Sequence, residues 1–120
     1  KVVLNPIYFD YDKSNVTAKA AFELDNLVQA MKKYPDMVIY ATSHTDSRGS
    51  NGYNMKLSDR RAKTTVQYVI SKGIDATRIS GAGKGETEMA VDCGTNCSEE
   101  QNQMNRRSEF KILSGGPANN

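Results

Sequence analysis

Apolar positions recur along this chain with two distinct periods. Ala20, Leu24, Leu27, Val28 and Met31 fall three and four residues apart, which places them on one face of a helix until Tyr34-Pro35 ends the pattern. Thr17 stands where the N-cap of that helix belongs. A second row, Ala62, Val66, Val69 and Ile70, predicts a longer helix capped by Ser50 or Asn51, running to about Lys72 with Gly73 in the C-cap position. Strand-like runs flank these helices. Val2 to Phe9 is β-branched and aromatic but broken by Asn5-Pro6, Met37 to Thr42 is β-rich, and a third run lies near Arg78–Ala82. From Ser108 to Leu113, Phe110 and Ile112 alternate with Glu109 and Lys111, as in a half-buried strand. Glu86 to Met104 has no period and reads as a long loop. Gly81, Gly83 and Gly85 alternate, so three side chains are missing and another element is expected to approach closely there. The order β-α-β-α-β-β predicts an α+β sandwich, a mixed sheet with both helix stripes packed on one face. Its first strands are expected to be parallel neighbours joined by right-handed crossovers.

Composition narrows the picture. With 120 residues, 38% hydrophobic and 25% charged, the chain suits one core. Residues 1–113 are expected to form the domain and 114–120, Ser-Gly-Gly-Pro-Ala-Asn-Asn, a flexible tail. That tail and the abrupt strand-like start suggest a module of a longer protein. The 16 basic and 14 acidic residues are interspersed, without the dense basic runs of a nucleic-acid binder. No apolar run approaches the roughly 20 residues of a membrane-spanning helix. Cys93 and Cys97 flank the turn-prone Gly94-Thr95-Asn96. A local disulfide, and with it an oxidising compartment, is the first reading; two free thiols or half of a metal site are the others. Zinc commonly needs four ligands, and the single histidine, His44, is remote in sequence, so neither metal nor cofactor is expected.

Candidate chemistry centres on a polar row. At 100° per residue Asn54, Ser58, Arg61 and Thr65 form a stripe beside the apolar one, and the strand end carrying Thr45-Asp46 is joined to this helix by a few residues. Asp46 and Arg61 therefore either face one crevice beyond the strand ends, where α/β sheets commonly bind ligands, or brace each other as structure. His44 lacks the surroundings of a catalytic histidine and is read as structural. Gly81-Ala82-Gly83-Lys84-Gly85 lacks the spacing of a phosphate loop and is read as a glycine-rich strand. Lys56, Arg60, Lys63 and Lys72 are read as a solvated face, with contact to a glycan chain as the alternative.

His44-Thr45-Asp46-Ser47-Arg48-Gly49-Ser50, then Asn54-x-x-Leu57-Ser58-x-x-Arg61-Ala62, and finally Asn105-Arg106-Arg107, resemble the signature of the OmpA C-terminal, MotB and Pal family. The opening Tyr8-Phe9-Asp10-Tyr11-Asp12-Lys13-Ser14 resembles that family's first strand and loop, and Lys72-Gly73-Ile74 with Arg78-Ile79 its second helix exit. The family's RAxxV ending departs here, with the valine one place later at Val66. The resemblance implies non-covalent binding of the peptidoglycan stem peptide through diaminopimelate, without cleavage. It further implies a periplasmic domain that ties a larger membrane-anchored envelope protein, in the outer membrane of a Gram-negative bacterium, to the wall. By the same resemblance Asp46 receives the ligand ammonium and Arg61 clamps its carboxylate. Thr45 belongs to the same motif, Asn54 supports the loop or a ligand amide, Tyr11 and Asp12 lie where the first loop reaches the ligand, and Arg106 or Arg107 lines the floor. The competing classes are an envelope protein-interaction domain without wall binding and an envelope hydrolase. If Cys93 and Cys97 are bridged, unreduced denatured protein from an oxidising compartment is expected to titrate no free thiol; two thiols per chain would refute the bridge.

Overall fold

The computed structural model describes residues 2–117, so three residues of the expected tail, 118–120, lie outside the described residues. Strand β1 (Ile7–Tyr8) leads through helix α1 (Ala18–Lys33) to β2 (Val38–Ser43), and helix α2 (Asn51–Ser71) leads through a 3-10 turn (Ala76–Arg78) to β3 (Ile79–Gly83). A short helix α3 (Glu99–Asn105) precedes the last strand, β4 (Arg107–Ser114), which runs one residue beyond the expected domain boundary.

Caps fix both long helices. Ala20 N–H donates to Thr17 Oγ1 at 3.1 Å, and Tyr53 N–H to Ser50 Oγ at 3.1 Å, so Ser50 is the cap and Asn51 the first helical residue. At the other end of α1, where carbonyls are left without helical partners, Arg78 supplies the donors. Its Nη2 meets Met31 O at 2.6 Å and Tyr34 O at 2.9 Å, and its Nε meets Met37 O at 3.1 Å. One side chain thus ties α1, the following turn and the entry to β3.

The sheet order is β1-β4-β2-β3, with β2 and β3 parallel and β4 antiparallel to both its neighbours. The expected adjacency of β1 and β2 is therefore wrong, because β4 is inserted between them. The alternation of Phe110 and Ile112 explains why. Those residues pair opposite Ala41 and Ile39 on the face the helices cover, whereas a two-residue β1 has too little ladder to serve anywhere but an edge. Leu24, Leu27, Val28 and Met31 of α1 meet Ile7, Phe9, Ile39, Val69, Ile74 and Ile79 in one core. In the second expected stripe Ala62 and Val69 are buried, while Val66 and Ile70 are half-buried against the core edge.

The expected long loop from Glu86 to Met104 contains α3, which the sequence reading missed. No apolar period announces a helix this short; it starts on a reciprocal cap, with Gln101 N–H donating to Ser98 Oγ at 3.1 Å and Ser98 N–H to Gln101 Oε1 at 2.9 Å.

The glycine-rich strand is as close to its neighbour as expected. A methyl group on Gly83 would run into Ser58 and the backbone of Asp59 on α2, and one on Gly81 would lie 3.0 Å from Ala41 O. Gly83 N–H donates to Asp59 Oδ1 at 3.1 Å and Gly85 N–H to Ser58 Oγ at 2.8 Å, so α2 lies directly on the bare backbone. Gly83→Ala is expected to cost about 1–3 kcal/mol in urea unfolding, because neither backbone can yield. Gly52→Ala, in a helical turn with open space around it, is expected to be neutral or to gain up to roughly 1 kcal/mol. Equal midpoints for the two variants would contradict this packing.

His44 extends β2 into the interior at 1% exposure. Its Nε2 is 3.1 Å from Thr42 Oγ1, and its Nδ1 is buried without a hydrogen-bond partner among the described residues. Burial, reinforced by the Arg107 charge, lowers its pKa from 6.5 to about 4. The imidazole is thus neutral in the folded domain and a better proton acceptor once unfolded. Its contribution to stability is complete above pH 6.5 and is lost as pH falls toward 4, by roughly 2–3 kcal/mol. His44→Gln is expected to flatten the stability profile in that window, and parallel profiles for variant and parent would refute the assignment.

Candidate functional site

The polar row of α2 does not lie outside the buried face of the helix; it shares that face with Leu57, Ala62 and Val69. Asn54, Ser58, Arg61 and Thr65 are each at most 1% exposed. Thr65 Oγ1 donates to Arg61 O at 2.7 Å and lies 3.0 Å from Ser108 Oγ, which in turn lies 2.6 Å from Ser43 Oγ. This hydroxyl chain fastens α2 to β4 and β2 and delivers Arg61 to the end of the sheet.

Arg61 is wholly buried, yet no carboxylate lies within 4.0 Å of it among the described residues. Three carbonyls receive its protons instead: Lys13 O from Nε at 2.8 Å, His44 O from Nη1 at 2.9 Å and Asp10 O from Nη2 at 3.1 Å. Its guanidinium carbon sits 5.1 Å from the centre of the Phe9 ring. A guanidinium carries five N–H groups, so about two remain unspent. Burial, with repulsion from Arg106, brings its pKa down to about 10, which leaves it cationic at neutral pH.

Asp46 is buried nearby, but its partners are other arginines. Oδ1 accepts from the backbone N–H of Arg48 at 3.0 Å, and Oδ2 accepts from Arg48 Nη2 at 2.6 Å and Arg106 Nη1 at 3.3 Å. Burial pushes the Asp46 carboxyl up, and these hydrogen bonds outweigh it, holding the group below the usual carboxylate range. Of the two readings left open for Asp46 and Arg61, mutual bracing is not what the chain adopts. Both instead line one small cavity of about 50 Å³, together with Tyr11, Asp12, Thr45, Arg48, Asn54 and Arg106. All seven candidate binding residues therefore converge.

Their supports differ. Asn54 Nδ2 donates to Glu86 Oε1 at 2.9 Å and, more weakly, to Asp46 O at 3.5 Å, so it holds loops together. Thr45 lines the cavity, and its Oγ1 is buried without a hydrogen-bond partner among the described residues. Asp12 takes a left-handed φ of 58° and accepts a hydrogen bond from Tyr53 Oη. Tyr11, 55% exposed, lies under the Arg48 guanidinium at 4.0 Å. Arg106, not Arg107, forms the floor: its Nε meets Phe9 O at 2.8 Å, whereas Arg107 turns to Glu109, Asn105 O and Glu88 O.

Arg48, Tyr53 and Glu99 belong to this corner and were passed over in the sequence. Arg48 follows Asp46 by two residues, the spacing at which an aspartate accepts from the backbone, and that was its available signal. Glu99, bonded by Arg106 Nη2 at 3.0 Å, was lost along with α3. Cys93 and Cys97 are bridged, with Cα atoms 5.2 Å apart, and Ser47 Oγ donates to Gly94 O at 3.0 Å, so the bridged loop abuts the Asp46 loop. A larger groove of about 610 Å³ beside β1 and the start of α1 contains no buried charge.

The arrangement offers a shielded cation with unspent donors beside a shielded carboxylate, a complement to a small group bearing both charges. Comparisons place the chain among known proteins. Outer membrane protein A of Bordetella avium is 40% identical over 114 residues, covering 94% of this chain; the chain spans 57% of that protein. The peptidoglycan-associated lipoprotein from Burkholderia pseudomallei shares the fold, with a TM-score of 0.82 at 23% identity over 90% of this chain and 89% of the other. The cell wall anchor of the T6SS from Pseudomonas aeruginosa superposes with a TM-score of 0.73 at 27% identity, covering 89% of this chain and 78% of the other. The OmpA family profile matches residues 8–103, most of the length in which sheet and site lie, and the chain belongs to the OmpA family.

Proposed function

We propose that this domain binds peptidoglycan without cleaving it, gripping the free end of diaminopimelate in the stem peptide, and so anchors a larger envelope protein to the wall from the periplasm. The observation that carries this reading is the buried Arg61, a cation with donors to spare and no carboxylate within 4.0 Å among the described residues. A carboxylate is the ligand group whose two oxygens match a guanidinium fork. Diaminopimelate sets an ammonium on the same carbon as its carboxylate, and Asp46 stands ready on the cavity wall for it.

One similar structure supports the partner class: the Pseudomonas aeruginosa protein is named as a cell wall anchor. Binding rather than cleavage is favoured because Asp46 is held ionised by Arg48 and Arg106, which suits it to receive a cation rather than to donate a proton, and His44 is spent inside the fold. Disulfide bonding of Cys93 and Cys97 accords with the periplasm.

The geometry decides which variants test this reading. Arg61→Ala would strip donors from three carbonyls and is expected to destabilise the domain by about 2–4 kcal/mol, which confounds any loss of binding. Asp46→Asn keeps the shape and still accepts from the Arg48 backbone. It is expected to stay folded and to weaken cosedimentation with cell-wall sacculi by roughly 10- to 100-fold. Arg61→Lys keeps the charge without the fork and is expected to lose binding to a similar degree, but it too leaves buried carbonyls without donors, so its melting temperature is measured on the same preparation. Free meso-diaminopimelate is expected to compete with sacculi. Full sacculus binding by folded Asp46→Asn, undisturbed by excess diaminopimelate, would overturn the site assignment, and absence of sacculus binding by the parent domain would favour a protein-interaction role.

A further inference from the structure

The carboxylate that is expected to receive a ligand ammonium already holds a cation from its own chain. Arg48 Nη2 lies 2.6 Å from Asp46 Oδ2, closer than Arg106 at 3.3 Å. The two arginines differ in freedom. The Arg106 side chain is 5% exposed and pinned between Phe9 O and Glu99, whereas that of Arg48 is 40% exposed and rests on the Tyr11 ring.

Withdrawal of the Arg48 guanidinium would leave Asp46 in place. The aspartate keeps the Arg48 backbone N–H on Oδ1 and Arg106 on Oδ2, and neither depends on the Arg48 side chain. Arg48 itself has somewhere to go, since Glu99 Oε1 is only 3.5 Å from its Nη2 and is 66% exposed. Rotation about the bonds of one long, solvent-reaching side chain suffices to exchange the two carboxylates.

We propose that Arg48 is an internal competitor for the ammonium subsite, a resident guanidinium that the ligand ammonium must displace from Asp46. This rests on the reading of the site given above. The consequence is an affinity set below what the site could reach. Only the fraction of molecules with Arg48 withdrawn offers Asp46 to a ligand, and the measured affinity is the intrinsic one reduced by that fraction. Because the pair is partly open to water, the reduction is modest, on the order of three- to ten-fold.

Competition has a signature that general electrostatic attraction lacks. Removing a cation from the rim weakens the binding of any anion if Arg48 merely attracts; if it competes, ligands bearing an ammonium gain and those without one do not. Pimelate, the same seven-carbon dicarboxylate without ammonium groups, provides the contrast to meso-diaminopimelate.

NMR titration of both compounds into the parent domain, Arg48→Met and Asp46→Asn tests the idea. Methionine keeps an unbranched stem beside Tyr11 and removes only the charge, and its melting temperature is expected to stay within a few degrees of the parent. Diaminopimelate is expected to bind Arg48→Met about three- to ten-fold more tightly than the parent, with pimelate no tighter. Weaker or unchanged diaminopimelate binding, or an equal gain for both compounds, would overturn the proposal while Asp46→Asn still lost binding and the site reading stood. Unaltered diaminopimelate binding by Asp46→Asn would remove the site reading and this proposal together.

Discussion

The end of the sheet is organised around one buried guanidinium. Arg61 projects from the middle of α2 and donates to the carbonyls of Asp10, Lys13 and His44, so the loop after β1 and the exit of β2 are both folded onto a single planar group. Leaving a charge this deep without a carboxylate is costly. Carbonyl dipoles and the Phe9 ring offset part of that cost, and the group stays ionised, its pKa lowered only to about 10. A lysine could supply the charge but not three donors in one plane, and an apolar residue would leave three carbonyls facing each other. The hydroxyls of Ser43, Thr65 and Ser108 then read as scaffolding that holds α2 at the height Arg61 requires.

Much of this was legible in the sequence, and the failures have common physical causes. Local signals worked because their information is local. The caps at Thr17 and Ser50, the stop at Tyr34-Pro35 and the apolar stripe of α1 are all decided within one or two turns. The gap opposite Gly81 and Gly83 was readable because only a bare backbone explains three alternate glycines. Strand order was not readable that way: β4 reaches its place between β1 and β2 by pairing with residues far back in the chain, and nothing within Ser108–Leu113 says which. The short α3 escaped because seven residues hold too few turns to show a period.

The site shows the same division. Helical spacing placed Asn54, Ser58, Arg61 and Thr65 on one azimuth, which was right, but azimuth does not fix depth, and the row proved to be as buried as the apolar residues beside it. Resemblance singled out Asp46 and Arg61 as partners in recognition; it could not show that Arg48 and Arg106 would share the aspartate between them. The choice between Arg106 and Arg107 also lay beyond the sequence. Neighbouring residues entering a strand point to opposite faces, and only the position of β4 decides which one meets the cavity.

The charges of this corner nearly cancel, and that constrains what can bind. Arg48, Arg61 and Arg106 line the cavity with Asp12 and Asp46, and Glu86 and Glu99 stand just behind, bonded to Asn54 and Arg106. A purely anionic ligand would satisfy Arg61 but gain nothing from Asp46, and a purely cationic one would have to contest Asp46 with two arginines while leaving Arg61 unanswered. On the proposed reading, an end that carries both charges on one carbon would leave the balance unchanged and would answer Asp46 and Arg61 together. Tyr11 and Tyr53 stand exposed at the rim of this cavity, and the disulfide-bridged loop is fastened to the Asp46 loop through Ser47.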